Sequence, residues 1–400
     1  MNGVGTFAFA LFSTISAIYR IQEAGLNPLE LVLVGTVLEL SAFLFEVPTG
    51  VVADVYSRRL SVLIGFALTG LGFAVEASNP MLGTILLAQV IWGVGFTFTS
   101  GAAEAWIVDE LGGRDVGRVF LRSAQISQLA ALLGIVLSVS LATVFVALPM
   151  FVAGGLFVAL SGILAFWMPE TGFRPRPREE RGSWSTMRRT LGVGVAAVRS
   201  RPALVLILLV ALFTGTSSEP LDRLWEIHLL ESFTFPDLWG LDPVLWFGII
   251  NGAALLLGVG ATELIRRRVD IEDPRAAVRV LLLLNGLLVA SVLGFALAGS
   301  FFLAVAAYWG TRVFRRTTGP LLATWTNQQL ESSVRATVLS MRTQADSLGQ
   351  VVGGPALGAL ATWASVRWTF VSVALLLLPV QALYRRARRT EIRRSGDRVE

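Results

Sequence analysis

Apolar runs long enough to cross a bilayer recur from one end of this chain to the other, and they restrict it to one physical class. A helix rises about 1.5 Å per residue, so roughly 20 mostly apolar residues span the ~30 Å of hydrocarbon. Runs of that kind cover residues 4–22, 29–53, 60–78, 80–106, 118–142 and 144–168. A second set covers 203–230, 243–265, 276–298, 300–326, 336–361 and 364–386. The chain is 54% hydrophobic and only 15% charged, whereas an ordinary soluble domain is about a quarter charged. Too little polar surface exists to cover a globule in water, so lipid must serve as solvent. The expectation is an all-α membrane protein of about twelve transmembrane helices.

Loop charge then sets orientation, because basic loops stay on the cytoplasmic side. One set of loops receives Arg58 and Arg59, Arg114 and Arg118, Arg174 to Arg201, Arg266–Arg268 with Arg275, Arg335, and the tail from Arg385 onward. The other set receives Arg20 and Arg367, with Arg223 as a third. Both termini are therefore expected in the cytoplasm, across a cell (inner) membrane, with an even number of spans. All 33 basic residues are Arg. Placed in short loops between apolar runs, they suit anionic lipid headgroups and not a nucleic-acid face. The N-terminus enters an apolar run without a preceding basic region, unlike a cleaved signal peptide.

The stretch Glu170–Arg201 is the one long polar interior segment, and its Pro and Arg content marks a linker with a short surface helix over Trp184–Val198. The expected layout is a six-helix bundle at 1–168, a cytoplasmic linker at 169–201, a second six-helix bundle at 202–386 and a basic tail at 387–400. Two bundles related by a pseudo-two-fold axis are what parallel repeats produce. A faint internal echo agrees: Trp106 precedes Leu111 and Gln125 by the same intervals at which Trp325 precedes Leu330 and Gln344.

Zero Cys and a single His, His228, exclude disulfides, thiolate metal sites and His clusters. No HExxH, no GxSxG with a His partner and no GxxxxGK[ST] loop is present, which argues against an enzyme and against an ATP-driven pump. Neither metal nor cofactor is expected.

After the second run the chain reads Gly50-Val-Val-Ala-Asp54-Val-Tyr-Ser-Arg58-Arg59. This resembles the loop between helices two and three of the major facilitator superfamily, G-x-x-x-D-x-x-G-R-[RK]. Gly50, Asp54, Arg58 and Arg59 match; Val55 and Ser57 depart from the usual basic residue and Gly. Phe45-Glu46-Val-Pro48, Gly101-Ala-Ala-Glu104-Ala with Asp109, and Asn327 followed by Arg335-Ala-Thr337 are similar to a bacterial branch of unassigned substrate. The resemblance implies two bundles alternating access around a central cavity lined by helices one, four, seven and ten. It also implies that Asp54 caps the eleventh helix near Arg335, while Arg58 or Arg59 bridges to Asp109 or Glu104, latching the halves on the cytoplasmic face. Ordinary interface charges are the alternative.

An ionisable side chain at the bilayer centre costs at least about 2.5–3.5 kcal/mol, so each one needs a reason. Counting along the runs puts Glu39, Arg312 and Asp346 near the midplane, with Glu46, Arg315 and Arg316 somewhat toward the cytoplasm. Arg312 and Arg316 share a helical face with Tyr308 and Gly319, while Arg315 turns toward another partner. The arginines read either as a cationic cavity wall for an anionic solute or as partners of Asp346. Glu39, Glu46 and Asp346 are candidates for proton exchange, although Pro48 beside Glu46 and Arg342 near Asp346 allow structural roles. Glu219, Asp222 and Glu226 fall on one face of the seventh run, as an outer gate or an exposed helix end. Tyr19, Trp92, Phe96 and Tyr308 would give the cavity an aromatic lining. Gly349–Gly358 offers small residues for close helix contact.

The expected function is secondary transport of a small organic solute by a monomer, coupled to protons, with efflux ahead of uptake of an anionic metabolite. A channel or a non-transporting sensor is the rival of another class.

Overall fold

The computed structural model describes residues 1–113, 115–174, 202–237, 244–270, 273–328, 330 and 335–396. Every regular element among them is helical. The linker beyond Arg174, its expected surface helix and the last four residues of the tail lie outside the described residues.

The chain divides into two compact units, Met1–Ser183 with Asp237–Asn251, and Trp184–Pro236 with Gly252–Glu400. The first contains α1 (Asn2–Ile18), α2 (Pro28–Val55), α3 (Arg58–Ser78), α4 (Leu82–Thr99), α5 (Ala102–Glu110), α6 (Val116–Ala142) and α7 (Leu148–Trp167). A π-helical turn, Tyr19–Glu23, prolongs α1. The second contains α8 (Pro202–Arg223), α9 (Trp225–Ser232), α11 (Pro274–Leu297), α12 (Phe301–Gln328), α13 (Arg335–Trp363) and α14 (Val366–Gly396). Between α9 and α11, helix α10 (Val244–Arg268) gives its first turns to the first unit and the rest to the second.

Ten helical stretches among the described residues are long and apolar enough to cross a membrane, with α4 and α5 counted as one stretch, Leu82–Glu110. That stretch breaks at Gly101, whose φ of 70° suits a residue without a Cβ. Helices α12 and α13 reach 28 and 29 residues but carry too many charged or polar side chains to qualify on apolarity alone. With them the described residues hold twelve long helices, the number read from the apolar runs.

Local sequence explains the helix starts. Asn27 accepts from the Glu30 N–H while Glu30 reaches back to the Asn27 N–H, and Pro28 fixes the first φ of α2. Ser57 caps α3 through the Leu60 N–H, and Asp273 caps α11 through two N–H groups. Pro220 stands inside α8, where it removes a hydrogen bond. The helix ends three residues later at Arg223 and restarts at Trp225. This corrects the expectation of one face: Glu219 and Asp222 belong to α8, and Glu226 to the next helix.

Inside lipid, helices associate through packing, so small residues sit where backbones approach. A Cβ on Gly154 of α7 would lie 2.7 Å from the Gly70 carbonyl oxygen of α3. A Cβ on Gly95 would lie 2.8 Å from the Thr69 nitrogen. In the second unit Gly349 presses on α8, where its Cβ would meet the Thr216 nitrogen at 2.7 Å, and Gly215 presses back on the Asp346 carbonyl. Around the first of these contacts Phe12 and Phe73 stack at 3.7 Å, with Trp92 edge-on to both. Tyr19 is buried in the same cluster, its hydroxyl 3.5 Å from the Ala77 carbonyl. It is a core residue, contrary to its expected place in a cavity lining.

Candidate functional site

The loop that joins α2 to α3 is knotted to the end of the first unit. Arg58 forms an ion pair with Asp109 of α5, and its guanidinium lies 5.8 Å from the Phe173 ring. Arg59 donates from its side chain to the Ala165 carbonyl of α7 and from its N–H to Glu170 Oε1 at 2.9 Å. Ser57 donates to the other Glu170 oxygen at 2.6 Å. Beside them Trp106 Nε1 donates to the Pro169 carbonyl at 2.7 Å, and Glu110 accepts from Thr171 Oγ1 and the Gly172 N–H at 2.8 Å each.

Of the bridges expected from Arg58 or Arg59 to Asp109 or Glu104, the one between Arg58 and Asp109 forms, and both residues belong to the first unit. This ion pair ties α3 to α5 and does not itself join two halves. Glu104 is exposed and takes no part in it. Gly50 is half-buried, with nothing within 4 Å of where a Cβ would stand. Asp54 is half-buried in the last turn of α2. Residues 331–334, ahead of the helix it was expected to cap, lie outside the described residues. Glu170, Glu110 and Trp106 were missed as contacts of this loop: Glu170 read as the start of a linker, Trp106 as part of an internal echo, and nothing singled out Glu110.

In the second unit the intramembrane charges converge on Asp222. Arg315 Nη1 meets Asp222 Oδ1 at 2.7 Å, and Arg315 Nη2 meets Oδ2 at 2.9 Å and Ser218 Oγ at 3.3 Å. Arg312 Nη1 reaches the same Oδ1 at 3.0 Å. A bidentate guanidinium on a carboxylate is among the strongest polar pairs available to a protein. Side-chain exposures of 41% for Arg312, 26% for Arg315 and 37% for Asp222 show that this cluster is only partly covered by protein. Residues three apart share a helical face, which is why Arg312 and Arg315 act together. Arg316 stands apart: it is exposed, and its side chain runs along Gly258 of α10.

Asp346 does not serve as the expected partner of Arg315 or Arg316. It accepts from Gln350 Nε2 at 2.9 Å and faces Thr214 Oγ1 at 3.5 Å, because α13 meets α8 at Gly215, two turns before Asp222. Glu219 is buried and meets Arg223 at 3.4 Å. Glu226 is buried at the start of α9. Tyr308, one turn before Arg312, is buried and stacks on Trp225 at 4.3 Å, and its hydroxyl has no hydrogen-bond partner among the described residues. Like Tyr19, it is a core residue.

Other candidates scatter. Along α2, Glu39 is half-buried and Glu46 exposed. Phe96 is exposed on α4, whereas Trp92 packs on the aromatic core. A network that the sequence did not single out lies at the end of α1. Arg20 Nε meets Glu76 Oε1 at 2.7 Å, and Gln89 Nε2 meets Glu76 Oε2 at 2.7 Å, all three nearly fully buried. The available signal was Glu76 itself, an acid inside the third apolar run.

Comparison with known proteins agrees with this architecture. The family model described as Major Facilitator Superfamily matches residues 2–314. An uncharacterized MFS-type transporter of Bacillus subtilis (strain 168), YxaM, is 22% identical over 382 residues, covering 94% of this chain and 92% of its own. Among solved structures, the nucleoside transporter NupG aligns with a TM-score of 0.73 at 14% identity, over 96% of this chain and 97% of NupG. A bacterial homolog of the human lysosomal transporter Spinster, inward-facing and unoccupied, aligns with a TM-score of 0.72 at 13% identity, over 98% and 96% of the two chains. These likenesses concern the fold, and the family is one of transporters and not of enzymes. Twelve long helices, the Gly50–Arg59 loop and the family match across most of the chain lead to one conclusion: this protein is a membrane transporter that belongs to the major facilitator superfamily.

Proposed function

We propose that this transporter moves a small organic solute bearing an anionic group by alternating access, coupled to protons. The observation that carries the proposal is the convergence of Arg312 and Arg315 on Asp222 midway along α12. Charged side chains at that depth are costly and mark solute or ion pathways far more often than they serve packing. Three arginines within five residues outnumber the one carboxylate they face, which leaves positive charge for an anionic solute group. Asp222, partly exposed, is the carboxylate that exchanges a proton when a solute anion alters the field of its two partners. The chain sits in the cell membrane, with both termini in the cytoplasm.

The test is transport in proteoliposomes under an imposed pH gradient, screened with small organic acids and read by solute-dependent proton flux. Comparing right-side-out with inverted vesicles reads the direction. Solute movement without any proton flux would remove the coupling, and transport unchanged in Arg315→Gln would remove the site.

A further inference from the structure

Arg312 and Arg315 already share one carboxylate, which leaves the third arginine to be explained. Among the described residues Arg316 has no hydrogen-bond or ion-pair partner, and it is exposed. It lies near the middle of a 28-residue helix, and Gly258 near the middle of a 25-residue one. A lipid-facing, unpaired guanidinium at that depth would be strongly disfavoured, so Arg316 needs an aqueous surface. The backbone of α10 makes room for it. A Cβ on Gly258 would stand 2.7 Å from Arg316 Cδ and 3.5 Å from its Nε. Cδ is the last carbon of the stem and Nε the first nitrogen of the guanidinium, so an alanine there forces the end of the side chain to shift.

We infer that Arg316 is the cation that meets the anionic group of the transported solute, and that Gly258 is the positioning residue that holds it in place. The inference rests on the proposed anionic solute and narrows it to a carboxylate or a similar monoanion received by a single guanidinium. Division of labour follows: Arg312 and Arg315 hold Asp222, and Arg316 holds cargo. Arginine suits this task because its charge is permanent and its planar fork matches a carboxylate.

Bromide, a simple monoanion with an anomalous signal, is the probe. Crystals of the wild type soaked in sodium bromide are expected to show a bromide in contact with the Arg316 guanidinium. Arg316→Gln should lose that peak, Arg316→Lys should keep it, and Gly258→Ala should displace or lose it while bromide elsewhere is unchanged. No bromide at Arg316 in the wild type, or bromide seated between Arg312 and Arg315, overturns the inference. Because the chain contains no cysteine, Arg316→Cys supplies a unique thiol as a second measurement. It should react with a membrane-impermeant anionic methanethiosulfonate in intact proteoliposomes. Reaction only with a lipid-soluble maleimide would place residue 316 in lipid and overturn the inference as well. Transport indifferent to Arg315→Gln defeats the proposed function, whereas bromide away from Arg316, with transport still dependent on Arg315, defeats this inference alone.

Discussion

Arg315 makes two hydrogen bonds to Asp222 and a third to Ser218, where Arg312 makes one. Arg315→Gln should therefore lower thermal stability and transport more than Arg312→Gln, with melting in detergent and vesicle flux as the readouts. The cluster is partly exposed, so the stability loss should stay near the ~1 kcal/mol of exposed pairs. The Arg20–Glu76 pair differs, with side-chain exposures of 3% and 1%. Glu76→Gln leaves a buried guanidinium uncompensated and should cost about 3–5 kcal/mol. A loss below that of Arg312→Gln would show that the pair contributes nothing. Residue-level legibility followed the same division. Arg58 with Asp109 was readable as one of the four pairings that Arg58 or Arg59 could make with Asp109 or Glu104. Asp222 as the partner of two arginines was not, because Asp346 stood at an equally plausible depth and only the contact between α8 and α13 separates them.

Helix contacts in this protein depend on single missing methyl groups. Gly154 and Gly155 are neighbours on α7, yet a Cβ on the first would strike α3 while one on the second would meet nothing within 4 Å. Gly154→Ala should lower the melting temperature by several degrees, and Gly155→Ala should leave it unchanged or raise it, since alanine is the better helix former. Equal effects in a melting assay would mean that α3 and α7 are not held at that distance. The Gly349–Gly358 stripe was legible in the sequence as a close-contact surface. Its counterpart Gly215 was not, because a single glycine acquires that meaning only once two helices are set against each other. The break at Leu224 had its signal in Pro220, which announces a bend without saying that the helix stops and restarts.

At the scale of the molecule, apolar length carried most of the information. Residues 300–326 and 336–361 read as apolar runs like the rest, and α12 and α13 form there although their charged side chains keep them from passing on apolarity alone. The loop charges make a topological prediction: a green fluorescent protein fused after Glu400 should fluoresce, and an alkaline phosphatase at the same point should be inactive. Active phosphatase would reverse the orientation. What the sequence could not convey was how closely the stretch after α7 belongs to the first unit, since Glu170–Phe173 carries the composition of a connector.

That stretch changes where the first half may be said to stop. Pro169, Glu170, Thr171, Gly172 and Phe173 are gripped by Trp106, Ser57, Arg59, Glu110 and Arg58. A scission after Arg174 would leave every one of those grips whole. A scission after Met168, where the helical run closes, would strip the α2–α3 turn of its Glu170 and Phe173 contacts while removing no membrane-crossing residue, leaving Asp109 and Ala165 as its partners. Anyone building this protein as two separately translated pieces should accordingly draw the border six residues beyond the place where hydrophobicity alone would put it.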